Sequence, residues 1–188
     1  MWRQMITASS FALTSPSPIS NIAGFASLNY RLSTPPPVPQ FQQFTQSGNL
    51  AHNVKHPIHV NVVVTFLNYL QKTYKFGEKY ALVGHGCGAN LTFKLPDGSE
   101  LCRPAGMLGV GGVYDLGRLR DAPIEVPMYQ YFVESAFGKD EEAWKLASPA
   151  THVSEADFAW RIAKVAALAK SDEDEHVDVN QRDIYGSN

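Results

Sequence analysis

The stretch "KYALVGHGCGAN", residues 79–90, constrains the fold more than any other part of this chain. It opens on an apolar run that reads as a short buried strand ending at His85. Gly84, Gly86 and Gly88 then alternate through a turn, and "GANLTFKL" can begin a helix at once. A strand that enters a helix through glycines is the first half of a βαβ unit, and such units build parallel sheets.

Other segments fit the same plan. "IAGFASLNY" (22–30) is a short apolar run that reads as a buried strand. "RLSTPPPVPQFQQFTQSGNLAHN" follows, and its consecutive prolines, with fixed φ and no amide proton, mark residues 31–55 as a surface loop. Its Phe41 and Phe44 are candidates to anchor it to the body. From His56 to Tyr74, Val63, Leu67, Leu70 and Tyr74 recur at helical spacing. Val60, Val62, Val63 and Val64 favour strand locally, but an unbroken run of this length is too long for a strand, so it is expected to be a helix. "PDGSE" (96–100) is a turn and "AGMLGVGGVYDL" (105–116) a strand ending in a loop. "VPMYQYFVESAFG" and "DEEAWKLAS" read as two short helices, the first stopped by Gly138 and the second followed by Pro149. "AKVAALAKSDEDEHVD" is a strand or a helix that runs into acids. Strands alternating with helices predict one α/β domain over residues 1–188, a mostly parallel sheet with helices on both faces. In such sheets ligand chemistry sits at the carboxyl ends of the strands. The glycine turn, "GGVYDL" and the acid cluster after Ala169 all fall there.

A chain of 188 residues with 44% apolar and 18% charged content suits a single globule. No run approaches the length of a spanning helix, so no membrane partner is expected. A net charge of −2 gives no reason to expect nucleic acid. No Asp or Glu precedes Glu78, yet only Arg3 and Arg31 are basic in the first fifty residues, which argues against a transit peptide. The start also lacks the sustained apolar core of a signal peptide, and a cytoplasmic location is expected. Cys87 and Cys102 show neither C-x-x-C spacing nor a disulfide framework. Nothing in the sequence indicates an oligomeric state.

The glycine turn admits three readings. A phosphate loop requires G-x-x-x-x-G-K-[ST], and no Lys-Ser/Thr pair follows Gly88. A dinucleotide fingerprint requires G-x-G-x-x-G, and "GHGCGAN" fails at the third glycine. A nucleophile elbow, G-x-S-x-G, matches the strand, the sharp turn and the helix, with Gly86 at the serine position. In that reading Gly84 and Gly88 let the strand and helix backbones approach closely around a strained apex.

Six phrases in order carry a wider resemblance: "FASLNYRLS", "HPIHVNVV", "YALVGHGCGAN", "GGVYDL", "AFGKDEEAWKLASPA" and "SDEDEHVD". Together they resemble the kynurenine formamidases (arylformamidases), α/β-hydrolases, and most closely fungal members. The resemblance covers nearly the whole chain. It implies an α/β-hydrolase fold and hydrolysis of N-formyl-L-kynurenine to L-kynurenine and formate in tryptophan catabolism. It also implies a serine, acid and histidine triad with no metal or organic cofactor, and a small aromatic formamide or ester as the molecule bound. By motif, Gly86 takes the nucleophile position, Asp174 the acid position, and the backbone N–H of Cys87 becomes an oxyanion donor.

The chain departs from that pattern in three places. Gly86 has no side chain to acylate. The family histidine follows the acid by a few dozen residues, whereas only residues 175–188 follow Asp174 and their one histidine is His176. Two residues from the acid, His176 is badly placed to bridge acid and nucleophile, and reads as a solvated loop residue. Thirdly, the family's HGGxW oxyanion loop is represented by "MWRQMITASSF" alone, with Trp2 at the Trp position, so the sequence is expected to be truncated at both ends. Catalysis is therefore expected to be impaired or absent, leaving a non-catalytic binding protein or a decayed fragment as the alternative.

Substitutes for the serine are weak. Cys87 is a stronger nucleophile than serine when ionised, but one position past the apex it is expected to be a buried, inert thiol. His85 reads as a packing or pocket-wall residue. His52, His56 and His59 are interrupted by Pro57 and have no neighbouring carboxylate or cysteine, so no metal site is expected. Asp115 reads as a loop cap, and Tyr131 and Trp144 as packing residues of core or lid.

Overall fold

The computed structural model describes residues 22–35, 53–96, 101–121, 128–152 and 163–170. The predicted turn at 96–100 and the loop aromatics Phe41 and Phe44 lie outside these, apart from Pro96 itself. Helix α1 runs Ile58–Tyr74 and ends where Lys75 turns left-handed at φ 52°, its amide donating to Gln71 O. Periodicity thus prevails over the valine run. His59, Val60 and Leu67 are buried, while Tyr74, at the end of the expected stripe, is exposed.

Three five-residue strands follow: β1 Ala81–His85, β2 Gly106–Val110 and β3 Val165–Ala169. They form one parallel sheet in the order β1-β2-β3. The ambiguous run after Ala163 is therefore a strand. Between β1 and β2 lies α2, Cys87–Phe93, which packs back on both strands. Between β2 and β3 come α3 (Leu116–Arg120), α4 (Met128–Phe137), α5 (Glu141–Ala147) and a 3₁₀ turn over Pro149–His152.

Two apolar clusters hold these layers together. Beneath α2, Ala89, Phe93, Met107, Tyr114, Ala150 and Ala163 pack against Leu82, Ala166 and Leu168 of the strands. Beyond β2, Val113, Leu116, Leu119, Val133, Trp144 and Ala147 join α3, α4 and α5. Local chemistry sets the ends of these helices. Asp115 accepts from Arg118 N at 3.0 Å and Asp140 from Glu142 N at 3.0 Å, each an N-cap satisfying an orphan amide. Asp115 is thus a cap, as expected. Gly138, at φ +83°, ends α4, and its carbonyl accepts the Trp144 indole N–H at 2.7 Å.

The strand expected at residues 22–30 does not form. Ile22 and Phe25 are exposed, and only Leu32 makes a bridge, its carbonyl accepting from Val54 N at 3.3 Å. An apolar run becomes a strand only when a neighbour takes its amides, and none of the three described strands borders it. Residues 31–35 instead form a strap. Ser33 Oγ lies 3.0 Å from His59 Nε2, Thr34 O accepts from Ser135 Oγ at 2.7 Å, and Pro35 O accepts from the exposed Tyr131 hydroxyl at 3.4 Å. No helix among the described residues is long and apolar enough to cross a membrane.

Candidate active site

At the carboxyl end of β1, His85 hands the chain to Gly86, which adopts φ 55°, ψ −122°, and α2 begins at Cys87. That backbone region is nearly closed to residues with a Cβ, and glycine enters it freely. The Gly86 amide donates to Val110 O at 3.0 Å, and the Gly86 carbonyl accepts from Ala89 N at 3.1 Å and Val113 N at 3.4 Å. The apex is therefore pinned to the ends of both neighbouring elements. A Cβ at Gly86 would meet nothing within 4 Å, so the space above the apex is open.

Close approach of strand and helix rests on one flanking glycine. A Cβ at Gly84 would stand 2.5 Å from Ala89 Cα and from Gly88 O, closer than real atoms come. At Gly88 it would meet nothing within 4 Å. The expectation that both glycines are sterically required is corrected: only Gly84 is. Buried Asn90 adds a side-chain tie from α2, its amide donating to Val113 O at 3.1 Å. Gly109 and Gly112 leave room for the Tyr114 ring, which packs edge-on to Phe93 at 5.6 Å.

The Cys87 amide is the first of α2, among those that have no acceptor within the helix, and so is available to an oxyanion. The expectation of a buried thiol is corrected, for Cys87 is exposed. It is the first residue of α2, next to the apex at Gly86. Exposure and desolvation pull in opposite directions here. Enough protein surrounds the sulfur that burial raises its pKa above the ordinary value, its own backbone N–H acting the other way. Solvent reaches the thiol, but it stays neutral and weakly nucleophilic at neutral pH.

Tyr30 is the neighbour that sequence reading missed, because its segment reads as a buried strand. Its phenol is half-buried and its pKa is pushed up to about 12 by burial, with Cys87 adding to the rise. His85 is exposed at the strand end. His56 and His59 have other engagements: His56 rests on the Phe137 ring at 5.3 Å, and His59 meets Ser33. Trp144 is core. Asp174, His176, Trp2 and His52 lie outside the described residues. The register does align His85, Val110 and Ala169, so the elbow and the end of β3 share one edge of the sheet.

A strand, a turn at a strained glycine and a helix leaving its apex, set on a parallel sheet, define the α/β-hydrolase class. No protein-family model matches the chain. The kynurenine formamidase-like hydrolase fscH of Fusarium equiseti is 38% identical over 164 residues, covering 83% of this chain and 54% of that protein. The kynurenine formamidase avaC of Aspergillus versicolor is 32% identical over 185 residues, 87% of this chain and 61% of its own length. A kynurenine formamidase of Meyerozyma guilliermondii is 31% identical over 72% of this chain and 54% of its own length. Among solved structures, an esterase B from Lactobacillus rhamnosis superposes with a TM-score of 0.47 at 13% identity, over 66% of this chain and 54% of that one. The chain is similar to kynurenine formamidases along most of its own length, and it spans little more than half the length of these relatives.

Proposed function

We propose that this chain is a kynurenine formamidase-like hydrolase that keeps the family's elbow while its serine chemistry is impaired or absent. The backbone of Gly86 carries the reading: it holds the nucleophile's conformation and has no side chain to attack a carbonyl. In the active form of such a site, a serine would add to the formyl carbon of N-formyl-L-kynurenine. A histidine would take the serine's proton and return it to the departing aniline nitrogen, and water would then release formate. In this chain the assigned positions are Gly86 for the nucleophile, the Cys87 N–H for the oxyanion and Asp174 for the acid, with His176 a weak candidate for the base. A cytoplasmic location belongs to the same reading.

Steady-state assays with N-formyl-L-kynurenine and a phenyl ester test it. Both substrates are expected to hydrolyse at the rate of the buffer blank. Gly86→Ser alone is expected to stay there too, because His176, two residues from Asp174 in the sequence, is badly placed to bridge acid and serine. Turnover that survives Cys87→Ala would overturn the proposal. The open volume above Gly86 favours a second reading, a non-catalytic protein that binds small aromatic formamides or esters. A thermal shift with kynurenine or N-formylkynurenine, without turnover, would single out that reading.

A further inference from the structure

The edge of the sheet where its strands begin, opposite the elbow, carries a cavity of about 440 Å³. Lys75, Phe76, Glu78, Lys79, Ala105 and Lys164 line it. Its volume falls within the roughly 300–1,000 Å³ of small-molecule sites. Backbone turns build it from the residues that lead into the strands. Lys75 at φ 52° and Gly77 at φ 58° bend the chain away from the end of α1. Gln71 Nε2 donates to Gly77 O at 3.0 Å and Lys79 N to Phe76 O at 3.0 Å, which holds that bend. Ala105 N donates to Tyr80 O at 2.8 Å and Lys164 N to Pro104 O at 3.3 Å, setting the three strand entries side by side. A strand of this length separates the cavity from the elbow by about 17 Å.

Its charge is lopsided. Lys164 Nζ meets Glu78 Oε2 at 2.8 Å and, with Arg103 beyond it, holds the Glu78 pKa below its ordinary value. The one lining acid is thus already answered by two cations. Among the described residues no acid pairs with Lys75 or Lys79, and both are exposed. Helix α1 ends beside the cavity, and its carbonyl end supplies about half a negative charge, less than either lysine carries. Between the cations the lining is apolar. Phe76 is half-buried with its ring 5.1 Å from that of Tyr80, Ala105 stands at the entry to β2, and lysine stems add methylene surface.

Inorganic anions would use the charges and leave that apolar wall wet. Neutral aromatics would use the wall and leave the lysines unanswered. A phosphate monoester satisfies both, since its head carries about −1.5 to −2 charges at neutral pH. We propose that this cavity binds a small soluble phosphate monoester, with its phosphate between Lys75 and Lys79 and its apolar body against Phe76 and Ala105. The site is independent of whether the elbow turns substrate over.

Titration of the isotope-labelled full chain with phenyl phosphate, followed through its backbone amide resonances, tests this. Saturable shifts are expected at Gly77 and Lys79, with none at Gly86 or Cys87. Inorganic phosphate is expected to bind about tenfold or more weakly, because it buries no ring. Lys79→Glu is expected to raise the phenyl phosphate Kd by about tenfold or more, through loss of an attraction and gain of a repulsion. Lys75→Glu gives the same weakening by a second route should Lys79→Glu lose its fold. Lys55→Glu, the same charge change at an exposed residue outside the cavity, leaves the Kd unchanged. Inorganic phosphate binding as tightly as phenyl phosphate would reduce the site to surface charge and overturn the proposal. So would shifts centred on Gly86, a Kd indifferent to both cavity variants, or no saturable shift in the millimolar range.

Discussion

Two glycines of the elbow share a motif and differ in what they do. Gly84 cannot accept a methyl group without pushing the Ala89 backbone out of α2. Gly88, in the first turn of that helix, meets nothing. Gly84→Ala is therefore expected to lower stability by about 3 kcal/mol or more, the upper end for overpacking in a site with no room to relax. Gly88→Ala is expected to be neutral or to stabilise by up to about 1 kcal/mol through helix propensity. Urea midpoints of the two variants check the contrast, and equal losses would contradict the geometry. A histidine supplies the residue-scale pH dependence. Burial, then His56, lowers the His59 pKa below its ordinary 6.5, and burial, then Lys94, lowers that of His56. Lys94 is itself pushed down to about 8 by burial. Below pH 6.5 the unfolded chain binds protons that the folded histidines resist, so stability is full above that value and falls as pH drops through the folded pKa values. The urea midpoint is expected to be lower at pH 5.5 than at 7.5. His59→Gln, which can still meet Ser33, is expected to flatten that slope, and an unchanged slope would place the titration elsewhere.

At the scale of elements, Ser148 joins two helices with one hydroxyl. Its Oγ donates to Trp144 O at 2.7 Å and accepts from Leu116 N at 2.9 Å, with no exposed surface. Ser148→Ala leaves a buried amide at the start of α3 unpaired, a loss of about 1–3 kcal/mol. Thermal unfolding would register it, and an unchanged midpoint would mean that α3 and α5 hold together without that bond. Elements such as α2, α4 and α5 were legible in the sequence because their signals are local: the glycine turn, the Gly138 stop and Pro149 after the last of them. Helix α1 was legible through length rather than propensity. Residues 22–30 were not, since apolar composition says that a segment can be buried and not whether a strand lies beside it. The turn at Gly86 could be read from its glycine spacing. The exposure of Cys87 and its coupling to Tyr30 could not, because both depend on how the segment before the strap passes the elbow.

At the scale of the whole molecule, the described residues build a parallel sheet whose three strands end along one edge. Gly111 N donates to Ala169 O at 2.8 Å just beyond that edge, tying the β2 loop to the end of β3. Relatives named kynurenine formamidase or kynurenine formamidase-like hydrolase are 31–38% identical over the matched residues. Under the proposed function, fold and reaction separate at Gly86: the turn holds φ 55° there, which glycine accepts, and a serine nucleophile would add a hydroxymethyl group. An active-site probe tests this most directly. Intact-mass spectrometry after incubation with a fluorophosphonate, which phosphonylates activated serines, is predicted to show the unmodified chain. A stoichiometric adduct mapped to residues 82–90 would show that the elbow still holds a working nucleophile, and would contradict the account.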